Sequence, residues 1–375
     1  MGPPALHRAV LGYDEVVSRL GSEMLLLNIA RSQADLPLHF TAAVSIAATF
    51  NWTAAGGVLG SFTGGTDPNQ VGQFNLGASA SENPTFSIVP VAGREFTSRI
   101  LTPLRDKVYE FLIFQGLRID RVMRLMGHGI ELQRPDGSFD RFVLNDPRVR
   151  EEYEEFRRIA LHLRWLNDNR RLFVTTIRFE ETLAERPADN PPTTSEITEA
   201  IGMKLTWRRR RNGTHVLKRK VAGRVAVTNY DLDTIPNEER RELNDFADKN
   251  PSNFTLLHIK AGYPGGDWPM FGGIKLRSFA SIIEFVANGI SKRPEYDVQI
   301  DPRTGGVDEN PRSVLEILVT KSPPDDEKRS VNFRGEYYSI GNTGWDRRNF
   351  IILSMIYQST VTDLRGVGIP ITISK

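Results

Sequence analysis

The stretch Ser22–Phe50 limits the possible folds most. It reads as a helix whose last turns are apolar on several sides at once, through Met24, Leu25, Leu26, Leu27 and Ile29. Asp35-Leu36-Pro37 stops it, and a strand of small residues follows. A helix apolar all round belongs inside a larger core or between subunits. Upstream, Val17 and Leu20 continue the helical spacing, and Arg31 stands near the negative helix end, so the spacing predicts a helix over Tyr13–Ser32.

A chain of 375 residues has room for that core, as two or three lobes or as one large domain with an inserted piece. Lys and Arg (48) nearly cancel Asp and Glu (46), so the whole molecule has no strong field for nucleic acid or an anionic membrane, and any such role must come from a local patch. There is no cysteine, which removes disulfides, thiolate metal sites and cysteine nucleophiles. No apolar run approaches the roughly 18–20 residues a spanning helix needs. Met1-Gly2-Pro3-Pro4 has neither the basic nor the apolar part of a signal peptide, and Leu6 breaks the myristoylation pattern. This opening also suits an initiator placed before a mature domain whose leader has been removed.

Small and larger residues alternate from Leu38 to Pro90, predicting strands over Leu38–Trp52, Val71–Ser81 and Thr85–Val89, in a sheet covered closely by another element. The Gly-rich tract Ala54–Asn69 interrupts them as a loop. Helices follow, marked by Phe96, Ile100 and Leu104, then over Val108–Phe114 and Ile119–Met126, with Gly116 and Gly127 as stops. A hairpin pairs Gly129–Gln133 with Phe139–Leu144 through Arg134-Pro135-Asp136-Gly137. Asp146-Pro147 is a helix start. Val149, Tyr153, Phe156, Ile159, Ala160, Leu163 and Leu166 then form an apolar stripe, with Glu151, Glu152, Glu154, Arg157 and Arg158 on the other face.

After a strand over Leu172–Phe179, the acidic and Pro-rich Glu180–Thr194 reads as a linker. Beyond it, Asn212-Gly213 signals a two-residue hairpin between Leu205–Arg211 and His215–Lys220, and Pro236–Lys249 a polar helix, together a small surface lobe. Core elements resume with strands over Phe254–Ala261, Tyr296–Ile300 and Ser313–Thr320. A helix with Leu276, Phe279, Ile283, Val286 and Ile290, a turn at Arg334-Gly335, an apolar helix Phe350–Tyr357 and a closing strand Ile369–Ile373 complete the chain. The expectation is an α+β fold: mixed sheets packed with amphipathic and buried helices, plus a small basic β-hairpin lobe. Residues 1–180 and 251–375 would share one core, with 181–250 inserted.

Several phrases resemble an uncharacterised family of Gram-negative bacterial envelope proteins. They are Leu25-Leu26-Leu27-Asn28-Ile29-Ala30-Arg31 with Leu36-Pro37; Glu82-Asn83-Pro84-Thr85-Phe86-Ser87 with Gly93-Arg94-Glu95-Phe96 and Leu101-Thr102-Pro103-Leu104; Leu276-Arg277-Ser278; and Gly335-Glu336-Tyr337-Tyr338-Ser339-Ile340 before an apolar helix and an Ile-Pro-Ile-Thr-Ile end. The resemblance covers both ends but not Pro187–Lys249. It implies export to the periplasm or outer membrane, often with a lipoprotein leader, and carries over no catalytic residue.

Reactive motifs are sparse. The six histidines (His7, His39, His128, His162, His215, His258) show no metal spacing. Neither G-x-S-x-G nor a phosphate-binding glycine motif occurs. The doublets Glu151/Glu152, Glu154/Glu155 and Glu180/Glu181, and Asp325-Asp326-Glu327, read as solvated surface, and Asp301, Asp308 and Glu309 lack calcium-loop spacing. The three Asn-x-Ser/Thr sites occur at the frequency chance supplies. What rises above background is a basic hairpin: Arg208, Arg209, Arg210, Arg211, Lys218, Arg219, Lys220 and Arg224, beside Trp207. Such a patch suits anionic lipid, acidic polysaccharide or an acidic neighbouring subunit, with nucleic acid the least favoured, and it equally suits a charged strand edge. The reading is a non-enzymatic, self-assembling structural or binding component of the bacterial envelope, partnered by its own copies or other envelope proteins. No catalytic residue, metal or cofactor is assigned. The rivals are an enzyme using paired carboxylates on an envelope polysaccharide, and a polyanion binder.

Overall fold

The computed structural model describes residues 3–57, 75–91, 94–134, 137–324, 330–361 and 371–374. The chain begins with α1 (Pro3–Gln33), the long strands β1 (Phe40–Gly57) and β2 (Asn75–Val91), and the helices α2 (Arg94–Leu101), α3 (Asp106–Phe114) and α4 (Ile119–Met126). Next come β3 (Gly127–Gln133), β4 (Phe139–Leu144), α5 (Arg150–Asp168), β5 (Phe173–Arg186), α6 (Thr194–Gly202), β6 (Leu205–Arg209) and β7 (His215–Thr228). The remainder is α7 (Asn237–Asp248), β8 (Phe254–Ile259), β9 (Met270–Leu276), α8 (Phe279–Ile290), β10 (Ile317–Thr320), β11 (Ser330–Phe333), β12 (Glu336–Ile340), α9 (Gly344–Val361) and β13 (Ile371–Ser374). The fold is α+β, as the periodicities predict.

Two compact units divide the chain: Met1–Ser18 with His39–Arg94 and Asp363–Lys375, and Arg19–Leu38 with Glu95–Thr362. The first holds an antiparallel sheet in the order β1-β2-β13. The second is built on a seven-stranded sheet in the order β4-β3-β9-β8-β7-β5 with β6 on β7. Its one parallel pairing is β7 with β8. A small sheet β10-β12-β11 accompanies it, and its β11–β12 hairpin turns on Arg334 and Gly335, both at positive φ, as a two-residue turn requires.

Local chemistry explains many of these boundaries. Asp35 takes φ 55° just after α1, where Leu36 N–H reaches back to the Arg31 carbonyl and the Arg31 side chain donates to Pro37. Thr193 and Glu196 cap α6 reciprocally, and Ser278 caps α8. Gly272 sits at φ 148°, where an added Cβ would lie 1.9 Å from the Glu131 carbonyl oxygen. Beside it, Gly273 leaves room for the Phe254 ring. The central sheet closes only because these two positions carry no side chain.

Several expectations are corrected. The expected linker at Glu180 is the second half of β5, which pairs with β7 from Phe173↔Thr228 to Arg186↔His215. The boundary at 180/181 thus falls inside one strand, and β7 continues into the central sheet. The turn at Asn212-Gly213 is one residue longer than expected, because Arg210 N–H donates to the Thr214 carbonyl and Gly213 takes φ 87°. Helix α5 begins at Arg150, since Asp146 spends its carboxylate and carbonyl on the preceding turn, accepting from Arg148 and Val149. Arg157, expected on its solvent face, is fully buried. Tyr296–Ile300 forms no strand. The expected strand pieces from Thr85 and within Val71–Ser81 belong to the continuous β2. Residues 58–74 of the Gly-rich tract and following strand, Gly93, Pro135-Asp136, Asp325-Asp326-Glu327 and 369–370 lie outside the described residues.

Helix α1 departs from its expected burial in an informative way. Leu25, Leu26, Ile29 and Ala30 are buried, but Met24 and Leu27 are half-buried, and Val17 and Leu20 are 41% and 44% exposed. The helix has two apolar faces, and the 17/20/24/27 face remains open.

Candidate functional site

The basic hairpin was the leading candidate, and four of its eight cations pair with the acidic half of β5. Register places Glu180 opposite Lys220 and Glu181 opposite Arg219. Strand alternation then puts Arg208 and Lys218 on the Glu180 face, at 3.0 and 2.9 Å, while Arg219 meets Glu181 at 2.6 Å on the other. Arg210 pairs with Glu185 at 2.8 Å. The Lys218 hydrogen bond, with Arg208 and Lys220 nearby, holds the Glu180 carboxyl below its usual range.

Arg224 belongs to a different structure. Its guanidinium is 2.9 Å from Asp106 and donates to the carbonyls of Ala247, Asn250, Pro251 and Phe254, so it ties the start of α3 to the end of α7 and the start of β8. Of the eight predicted cations, Arg209, Arg211 and Lys220 form no ion pair among the described residues, and all three are exposed. Trp207 is covered by the Arg186 guanidinium, 5.4 Å above its ring, and Arg186 in turn pairs with Glu196.

A second cluster lies in the interior, where Arg118 just before α4 and Arg121 and Arg124 on it stand three residues apart. Their guanidinium carbons stand 5.2, 4.3 and 5.6 Å from the Trp345 ring centre. Glu309 accepts from Arg118 and Arg121; Glu295 accepts from Arg124 at 3.0 Å, Tyr153 at 2.6 Å and the Val314 N–H. Burial alone would raise the Glu295 carboxyl, but Arg124, Arg157, Tyr153 and Val314 together hold it below the ordinary value. Arg157 donates to the carbonyls of Pro311 and Arg312 and to the Asn310 side chain. The cluster thereby replaces the backbone pairing that the irregular segment 291–316 lacks. Arg277, buried and lowered to about 10 by that burial, donates to the Arg124, Leu125 and Asn145 carbonyls.

The third feature is a groove of about 570 Å³ between α7, β8 and β9, lined by Glu239, Leu243, Phe246, His258, Lys260 and Phe271 among others. His258 Nδ1 is 2.9 Å from the Tyr230 hydroxyl, and burial, with Lys260 adding, lowers its imidazole to about 4. Lys260 is bonded to Glu239 and lies 4.9 Å from the centre of the Tyr230 ring. At neutral pH this is a neutral imidazole in an aromatic wall with an ion pair at its rim. It can receive an apolar group and one hydrogen-bonding atom. It places no serine or carboxylate on the imidazole in the manner of a nucleophile with its base.

Sequence reading grouped neither of these last two. The three-residue spacing of Arg118, Arg121 and Arg124 was a readable signal for one buried or half-buried face. Tyr230, Glu239 and the His258–Lys260 strand end come from three separate segments and carried none. His162 is buried with ring nitrogens at Thr304 and Gly265. Asp301 pairs with Arg303, and Glu309 with Arg118 and Arg121. Among the described residues no three His, Asp or Glu converge as metal ligands, and no helix is long and apolar enough to cross a membrane. Comparison of the chain with family models, curated proteins and solved structures gave no match.

Proposed function

We propose that this chain is a non-enzymatic structural or binding component of the bacterial cell envelope, in the periplasm or at the outer membrane, that assembles with copies of itself. The observation that carries the assembly is the open apolar face of α1: Val17 and Leu20 stand in water in line with half-buried Met24 and Leu27. This three-four spacing is the seam along which helices pack. The envelope setting rests on the resemblance of the phrases around Leu25–Arg31, Glu82–Ser87 and Gly335–Ile340 to exported proteins.

Light scattering coupled to size exclusion tests the assembly. We expect a concentration-dependent oligomer that Val17→Glu with Leu20→Glu shifts toward the monomer. A strict monomer at high concentration would reject the reading.

Arg209, Arg211 and Lys220 favour a second reading, capture of an anionic polymer. With three available cations, affinity for a sulfated polysaccharide would be weak and would fall with salt. Glu180→Gln with Glu181→Gln, by releasing Arg208, Lys218 and Arg219, should strengthen it. Unchanged retention on a heparin column would count against this reading.

A further inference from the structure

The groove between α7, β8 and β9 has walls of one consistent chemistry. Helical spacing puts Glu239, Glu242, Leu243 and Phe246 on one side of α7. Leu243 turns into the core, while Phe246 stays half-buried. On the sheet side, strand register sets Phe271 of β9 beside His258 of β8, and Met270 beside Ile259. The rings of Phe246 and His258 each stand 4.9 Å from that of Phe271, centre to centre. Both phenylalanines pack on the core around Phe254 and Leu256 without being covered by it, so part of each ring is left to the groove.

The charged residues lining it are Glu239, Glu242 and Lys260. Lys260 is bonded to Glu239, and that pair cancels. Glu242 is left over: it is exposed, and it forms no ion pair or hydrogen bond among the described residues. His258 adds no positive charge at neutral pH, because burial keeps its imidazole down at about 4. The groove therefore carries one net negative charge. An aromatic ring also presents negative potential at its face, so rings and carboxylate attract a guest of the same sign. An anion would face Glu242 uncompensated, and an uncharged guest would gain from the rings alone. The volume, about 570 Å³, lies within the roughly 300–1,000 Å³ of small-ligand sites.

We propose that this groove binds a small organic cation, with its ammonium head between Glu242 and the Phe246 ring and its apolar body along Phe271 and Met270. Glu242 and Phe246 are one helical turn apart on α7, the spacing at which two side chains can meet one group. A cation within about 6 Å of a ring centre is attracted to it, most strongly where water is displaced. The site lies wholly within the second unit and requires no second copy of the chain.

Methionine methyls supply a local readout, since the chain has seven and Met270 lines the groove. The full chain, isotope-labelled at its methionine methyls, is titrated by NMR at pH 7 and low salt with 2-phenylethylammonium, 2-phenylethanol and 3-phenylpropanoate. These probes share one shape and differ in charge. The Met270 line is identified by its loss in Met270→Leu. We expect that line to move at roughly tenfold lower ammonium than alcohol concentration, and to respond least to the carboxylate. Glu242→Gln, at an exposed position, should cut the preference to about twofold. Glu239→Gln with Glu242→Gln leaves Lys260 uncancelled and should reverse the order, so that 3-phenylpropanoate binds best. An equal response to the three probes, a preference of the unaltered chain for alcohol or carboxylate, or no response at all overturns the assignment. So does a Glu242→Gln chain that keeps the full preference, or an ammonium titration that moves other methionine lines and leaves Met270 still.

Discussion

Glu295 holds one carboxylate against Arg124 and near Arg157, all three buried. Removing one member of such a group leaves charge uncompensated in the interior, which costs about 3–5 kcal/mol. Glu295→Gln should therefore lower the unfolding free energy obtained from a denaturant titration by an amount in that range, and an unchanged free energy would show the network to be dispensable. Because the folded carboxyl is held below its unfolded value, its contribution is present above about pH 4.5 and is lost as pH falls through the folded value. The variant should accordingly show a flatter acid limb. His258 works in the opposite chemical sense but over a neighbouring range. Its imidazole is lowered from 6.5 to about 4, so the unfolded chain takes up a proton that the folded one refuses, and stability drops as pH falls from about 6.5 to 4. The effect is on the order of 3 kcal/mol. His258→Phe should flatten stability over that window, read by melts at pH 7, 6, 5 and 4.

At the scale of elements, the strongest constraint is the β3–β9–β8 ladder. Gly272→Ala would place a methyl on the Glu131 carbonyl in a backbone conformation that side chains rarely adopt. A loss of more than about 2 kcal/mol is expected, and the same change at Gly306, where nothing lies within 4 Å, should be nearly silent. Helices and strands were largely legible beforehand because their signals are local: the stripe of α5, the Ser278 cap, the turn glycines. The α1 face was legible as a period but not as an environment. Val17, Leu20, Met24 and Leu27 obey the helical spacing of a core face, yet the core lies on Leu25, Leu26 and Ile29, because neighbours decide which of two apolar faces is covered. The basic hairpin misled for a related reason. Glu180 and Glu181 read as linker, whereas an antiparallel register set them against cations some 38 residues away.

For the whole molecule, the second unit contains its own sheet, helices and ionic network. A chain in which 45–87 are replaced by a short Gly-Ser link should keep a single cooperative unfolding transition for that unit, followed by circular dichroism. A broad, non-cooperative melt would show that the two units depend on each other. What the amino-acid order determined alone is the α+β class and the positions of most elements, since periods of 3.6 and 2 are properties of neighbouring residues. Tertiary structure alone decided which charges cancel, which face of α1 stays open and how Glu239, Phe246, His258 and Lys260 come to line one groove. Those outcomes depend on strand register and helix packing between residues far apart in the chain, and no local pattern encodes them.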